Sequence, residues 1–130
     1  MTFRILITGS REWVDRELMR STLSAIKNSR NEYNFPIVVV HGGARGADSM
    51  AGSLARATPG ATEEIHPVEW LPAGIYNPYA GHARNQKMVD LGGDICVAFF
   101  QVGAANRGTA DCVKRAKLAG IPLLEIWSKE

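Results

Sequence analysis

Two glycine-rich turns hold the residues of this chain best suited to bind an anion. Gly42-Gly43-Ala44-Arg45-Gly46-Ala47-Asp48 follows the apolar run Ile37-Val38-Val39-Val40. Arg107-Gly108-Thr109-Ala110-Asp111 follows Ile95-Cys96-Val97-Ala98-Phe99-Phe100 after a short loop. Each reads as strand, turn and helix start, where free backbone N–H groups and the positive end of the helix dipole converge. Arg45 and Arg107 add forked cations that match phosphate or carboxylate oxygens two at a time. The chemistry implied is capture of a phosphorylated ligand, most simply a nucleotide.

Other residues join this set by type and position. After the first apolar run, Thr8-Gly9-Ser10-Arg11 offers a glycine for close backbone approach, a hydroxyl and a further guanidinium. In the second turn Gly42, Gly43, Ala44 and Gly46 give an open backbone, and Asp48 either compensates the helix dipole or accepts a ribose hydroxyl. That turn is neither G-x-G-x-x-G nor a P-loop, so a dinucleotide fingerprint and an ATPase are not supported. Thr109 either holds phosphate beside the amides of its turn or caps the helix. Arg84, Met88 and Leu91 fall at i, i+4 and i+7, which puts an arginine on an apolar stripe at the helix end nearest the turns. It snorkels or points into the site, with Asn85 beside it. His82 reads as a surface or capping residue. Trp70 could stack on a base, or with Tyr76 and Tyr79 simply pack its loop.

The elements that position these residues alternate. Strands are expected over residues 3–8, 36–41, 62–69, 94–100 and 122–127, and helices over 15–30, 46–57, 80–91 and 108–119. Ala47, Met50, Ala51, Leu54 and Ala55 show the helical i, i+3, i+4, i+7, i+8 spacing. Residues 71–79 hold two prolines and a glycine and read as loop. The alternation predicts an α/β fold: one Rossmann-like, three-layer domain over residues 1–130, with a mainly parallel five-stranded sheet and helices on both faces. The glycine turns then fall at strand carboxyl ends, where such sheets bind ligands.

Composition narrows the partners. The chain has 130 residues, is 45% hydrophobic and 22% charged, and carries a net charge of +2. That charge is small and dispersed, which argues against nucleic acid. No apolar run approaches the roughly 20 residues of a membrane span, and no signal-peptide pattern opens the chain. A cytoplasmic protein is expected. The two cysteines, Cys96 and Cys112, read as buried thiols, and the three histidines lack metal-ligand spacing, so no metal site is expected.

Taken in order, several strings carry a family resemblance. They are Ile5-Leu6-Ile7-Thr8-Gly9-Ser10-Arg11, the Gly-Gly-Ala-Arg-Gly-Ala-Asp turn, Ala83-Arg84-Asn85 and Arg107-Gly108-Thr109-Ala110-Asp111-Cys112. Over nearly its whole length the chain resembles the small SLOG-superfamily proteins called YspA-type or cpYpsA-related. The resemblance implies a Rossmann-like fold and a nucleotide or nucleotide-derived ligand, such as an ADP-ribose-type compound, with no required cofactor. It also implies kinship to the lonely-guy phosphoribohydrolases, long mislabelled lysine decarboxylases. Those enzymes cleave a nucleoside monophosphate to free base and ribose 5-phosphate, and they are dimers, so a homodimer is expected by analogy.

The kinship assigns roles residue by residue. The enzymes' M-x-x-R-K arginine falls on Arg84, while their lysine becomes Asn85. In P-G-G-x-G-T-x-x-E the Gly-Thr pair falls on Gly108 and Thr109, the Pro-Gly-Gly is absent, and the glutamate position is Cys112. Glycosidic cleavage builds positive charge on the sugar, which a fixed carboxylate stabilises. Cys112 supplies none. Asp111 sits one residue early, about 100° around the helix. Asp48 is the other candidate, if the two turns meet. The tentative catalytic set is therefore Arg84 with Asp48 or Asp111, and binding is better supported than cleavage.

Overall fold

Alternation within the central strands sends their side chains into two apolar layers. In the computed structural model, which describes residues 1–130 apart from the side chain of Pro72, β1 spans Phe3–Gly9 and β4 spans Ile95–Phe100. Ile5, Ile7, Val97 and Phe99 face one side and Leu6 and Cys96 the other, all essentially inaccessible to solvent. Every residue of β4 is buried, as expected of a strand covered on both faces. Each such Ile, Leu or Phe contributes about 1.5–3 kcal/mol by burial.

The remaining elements are α1 (Arg16–Arg30), β2 (Ile37–His41), α2 (Ala47–Arg56), β3 (Ala61–Ile65), α3 (Ala80–Asp90), α4 (Arg107–Leu118) and β5 (Leu123–Trp127). The strands pair in parallel in the order β3-β2-β1-β4-β5. Met19 and Ile26 of α1 and Ala51 and Leu54 of α2 pack on the first layer. Met88 and Val89 of α3 and Cys112 and Ala116 of α4 pack on the second. The result is the expected Rossmann-like three-layer α/β arrangement, with its sheet wholly parallel. The strand order reverses between β1 and β4. No helix among the described residues is long and apolar enough to cross a membrane.

Two expectations need correction. The third strand does not run over 62–69: it begins at Ala61 and ends at Ile65. His66 N makes one last bond to His41 O at 2.8 Å, and Pro67, lacking an N–H, cannot continue the ladder. The stripe through Arg84 and Met88 also stops short, because Leu91 caps α3 and is 52% exposed. On the α3 side of the sheet, Arg4 reaches across β2 to grip Glu64 of β3 with two bonds of 2.9 and 3.0 Å. Arg4, with help from His66, holds the Glu64 carboxyl down to about 2.

Candidate functional site

A cleft of about 380 Å³ opens at the carboxyl ends of β1 and β4, where the reversed strand order leaves room above the sheet. Its walls are residues 8–12 at the end of β1 and beyond it, residues 104–109 at the start of α4 and before it, and Ala44, Asp48, Arg84 and Asn85. Small-ligand sites occupy roughly 300–1,000 Å³, so the volume suits one.

The first two turns are welded together. Ser10 N donates to Phe99 O at 2.9 Å, and Ser10 O accepts from Trp13 N at 3.2 Å and Ala47 N at 3.1 Å. The Ser10 hydroxyl accepts from Glu12 N at 3.0 Å, inside its own turn. Gly9 sits against Ala47 and Phe99, so that a Cβ there would fall 2.9 Å from the Phe99 Cβ. At Gly46, φ is +78° and a Cβ would lie 2.5 Å from the carbonyl oxygens of Ser10 and Arg11. Only glycine meets both demands.

The second turn is filled from within. Asp48 folds back so that Oδ2 accepts from Gly42 N at 3.1 Å and Ala44 N at 3.4 Å. Gly43 N donates to His41 Nδ1 at 3.0 Å. That places the His41 proton on Nε2, which faces Glu63 Oε2 at 2.8 Å. Bonds from His41 and Arg56 hold Glu63 below the usual carboxylate range. Arg45 leaves the cleft altogether: its side chain is 73% exposed and pairs with Glu12 at 2.7 Å.

The turn before α4 is open. Asn106 adopts a left-handed conformation (φ +53°), and its side chain holds the approach loop through Gln101 and Ala104. The helix makes its first internal bond at Ala110 N to Asn106 O, 3.0 Å, and no side chain caps it. Among the described residues, the N–H groups of Arg107, Gly108 and Thr109 find no protein acceptor. A Cβ on Gly108 would meet nothing within 4 Å. Thr109 is buried at the cleft wall, and Arg11 and Arg107 stand exposed at its rim.

Arg84 and Asn85 join the two turns. Arg84 Nη1 donates to Gly42 O at 2.9 Å and His66 O at 3.1 Å, and Nε to Asn85 Oδ1 at 2.9 Å. Its guanidinium lies over Gly42 so closely that a side chain at that position would collide with it. Asn85, buried, donates through Nδ2 to Gly108 O at 3.3 Å and Asp111 Oδ2 at 3.0 Å. Arg84 is thus first a clamp on carbonyl groups, and it also lines the cleft.

The carboxylates part company here. Asp111 turns into the seam between α3 and α4, where Arg115 Nε also reaches it at 2.9 Å, and it does not line the cleft. Burial alone would raise its pKa, but the bonds from Arg115 and Asn85 bring it below the usual value. Asp48 does line the cleft, so the second turn meets the turn before α4. It is 5% exposed, and its Oδ1 is buried without a hydrogen-bond partner. Burial pushes this carboxyl up from its ordinary value, against the charge of Arg84 and the bonds from Ala44 N and Gly42 N. Cys112 packs beneath α4 in the apolar layer with Cys96, whose thiol is pushed up by the Cys112 contact and by burial.

Of the residues singled out by sequence, the structure gathers Gly9, Ser10, Arg11, Ala44, Asp48, Arg84, Asn85, Arg107, Gly108 and Thr109 around one cleft. Gly42, Gly43 and Gly46 do not line it: Gly42 lies under Arg84, Gly46 against Ser10 and Arg11, and Gly43 toward Ile65. Trp70 lies elsewhere, 40% exposed and stacked on Tyr76 with ring centroids 6.3 Å apart. His82 is exposed, 3.8 Å from Asp111. Thr8, Glu12, Ala104, Ala105 and Asn106 line the cleft without having been singled out. Only Asn106, a residue that tolerates left-handed backbone, carried a local signal.

Comparison with known proteins adds two findings. The family model described as YspA, cpYpsA-related SLOG family matches residues 3–70, a stretch holding β1 to β3 and both welded turns. The chain is also 38% identical over 130 residues to the Gene 61 protein of Mycobacterium phage D29, covering 97% of this chain and 98% of that one.

Proposed function

The chain belongs to the YspA, cpYpsA-related SLOG family, and from that premise we propose that it binds a nucleotide or nucleotide-derived phosphorylated ligand, ADP-ribose types included, in the cleft above β1 and β4. The observation that carries this reading is the uncapped start of α4. Three consecutive N–H groups without acceptors open into the cleft, at the positive end of a 12-residue helix. Arg11 and Arg107 flank that point and supply the charge that a phosphate group needs. A thermal-shift screen over nucleoside mono- and diphosphates and ADP-ribose tests it. A ligand at about 100 times its Kd should add about 2.7 kcal/mol of stability. No shift with any of them contradicts the reading.

A second reading is favoured by the position of Asp48. Its carboxyl shares the cleft with Arg84 and the α4 turn, whereas Cys112 supplies no carboxylate. In a phosphoribohydrolase-like reaction, Asp48 would stabilise charge on the sugar or orient water as the glycosidic bond breaks. Release of free base from nucleoside monophosphates, abolished by Asp48→Asn, would support cleavage. Binding without base release would leave the protein a sensor or a store.

A further inference from the structure

A separate cavity of about 250 Å³ opens between α1 and α2, over the first apolar layer, and shares no lining residue with the cleft. It exists because the residues facing α1 here are small. Ala55 of α2, Thr58 after it and Ala61 of β3 leave a gap that Leu23 and Leu54 do not fill. Its base is Ile5, Ile37 and Val39 of the sheet. The α1 wall is of another kind. Arg20, Leu23, Ser24 and Lys27 stand at i, i+3, i+4 and i+7, on one helix face. Both charged residues of the lining are cations, and no carboxylate lines the cavity. Arg20 is already engaged, held by Glu17 through bonds of 2.9 and 2.5 Å. Lys27 makes no ion pair among the described residues. Ser24 carries the one α1 hydroxyl that does not bond back to a helix carbonyl, as those of Ser21, Thr22 and Ser29 do. The other hydroxyl of the lining, on Thr58, donates to Leu54 O at 2.7 Å. Arg20 is exposed and Ser24 and Lys27 are half-buried, so the mouth of the cavity runs along α1.

An apolar base, with one wall that carries an unpaired ammonium and an unused hydroxyl, fits a ligand of two parts. Walls this apolar give water few partners, whereas an apolar cavity of about 150 Å³ takes up benzene. Small-ligand sites are lined mostly by apolar groups, with a few polar ones that fix orientation. The single unpaired cation matches one negative charge. A dianion would keep a charge uncompensated, and a cationic ligand would be repelled by Arg20 and Lys27. We propose that this cavity binds a small amphipathic monocarboxylate. Its tail, a short chain or one ring, rests against Leu23, Leu54 and Ala61, and its carboxylate accepts from the Lys27 ammonium and the Ser24 hydroxyl. The site is independent of the anion site proposed above, since the two have no wall in common.

The test titrates the full chain with octanoate, phenylpropionate, octanamide and acetate, below micelle-forming concentrations, and follows amide NMR shifts. Octanoate or phenylpropionate should shift Ser24, Lys27 and Ala55 saturably, and the tighter of the two tells chain from ring. Octanamide keeps the tail and loses the charge, and should bind roughly 3- to 10-fold more weakly than octanoate. Lys27→Gln should weaken octanoate by a similar factor. Acetate, a head without a tail, should give no saturable shift at these residues. Ala55→Met fills the cavity and should weaken octanoate by more than about tenfold without lowering Tm. Ala61→Leu serves the same purpose if that variant does not fold. No saturable shift with either tailed carboxylate overturns the proposal. So does octanamide binding as tightly as octanoate, which leaves Lys27 without a role, and so does undiminished affinity in a folded, cavity-filled variant. Octanoate shifts centred on Gly108 and Thr109 also overturn it, because they place the carboxylate on the α4 turn.

Discussion

The two glycine turns look alike as text and differ as structures. The turn over residues 42–48 is closed: Asp48 holds two of its amides, His41 a third, and Gly46 is locked against Ser10 and Arg11. The turn that starts α4 is open: its first three amides have no acceptor, and Gly108 faces empty space. An amide cradle attracts an anion wherever it stands, but a carboxylate from its own helix can fill it first. The difference teaches that a glycine-rich strand-to-helix turn is a ligand site only when no side chain of the protein already occupies it.

Alanine substitution should separate the turns most sharply. Gly46→Ala forces a side chain into positive φ and into two carbonyl oxygens, and should cost at least about 3 kcal/mol in urea unfolding. Gly108→Ala, with open space around it, should change stability by about 1 kcal/mol or less, toward greater stability. It should still weaken phosphate binding by roughly tenfold, because the methyl enters the anion's place. Equal destabilisation by the two would erase the contrast. A smaller effect comes from Thr109→Val, which keeps the volume and removes the hydroxyl. Calorimetry should show phosphate affinity falling about 3- to 10-fold.

The internal anion also has a pH signature. The folded-state pKa of Asp48 is raised by burial, so between its unfolded value and the raised one the folded protein holds more protons than the unfolded chain. Stability from this group is therefore lost as pH rises through that window. Glu64 runs the other way. Its folded pKa, held down to about 2 by Arg4 and His66, adds stability above the ordinary value of 4.5 that is lost as pH falls toward 2. The pair is partly exposed, so the contribution is on the order of 1 kcal/mol. Urea titrations of Asp48→Asn and Glu64→Gln should change the pH slope in opposite senses. Slopes moving together would contradict this assignment. The smallest effect expected is for Arg45→Ala: its ion pair with Glu12 is exposed, so stability should move by less than about 0.5 kcal/mol and phosphate affinity by less than about twofold.

Much of this was legible in the sequence. Continuous apolar runs and helical spacing are local, and they located the strands and helices and hence the edge of the sheet where turns gather. The helical spacing of Ala47, Ala51, Leu54 and Ala55 placed them on one inward face of α2, as found. What sequence could not show was how the turns are satisfied. Asp48 folds onto Gly42 and Ala44 in a setting fixed by His41 from β2 and Arg84 from α3, contacts that only the tertiary fold makes. Arg84 was readable as an inward cation, but its clamp on two carbonyl groups depends on where β2 and β3 end. The early stop of β3 was half visible in Pro67. For Trp70 the sequence left two readings open, and the loop-packing one holds: its ring stacks on Tyr76, away from the cleft.

One measurement bears most directly on the distinction between the turns. In an amide-resolved NMR titration with inorganic phosphate, the account predicts that the signals of Arg107, Gly108 and Thr109 shift saturably, while those of Gly42 and Ala44 stay in place. Shifts centred on Gly42, Gly43 and Ala44, with the α4 turn unmoved, would contradict it.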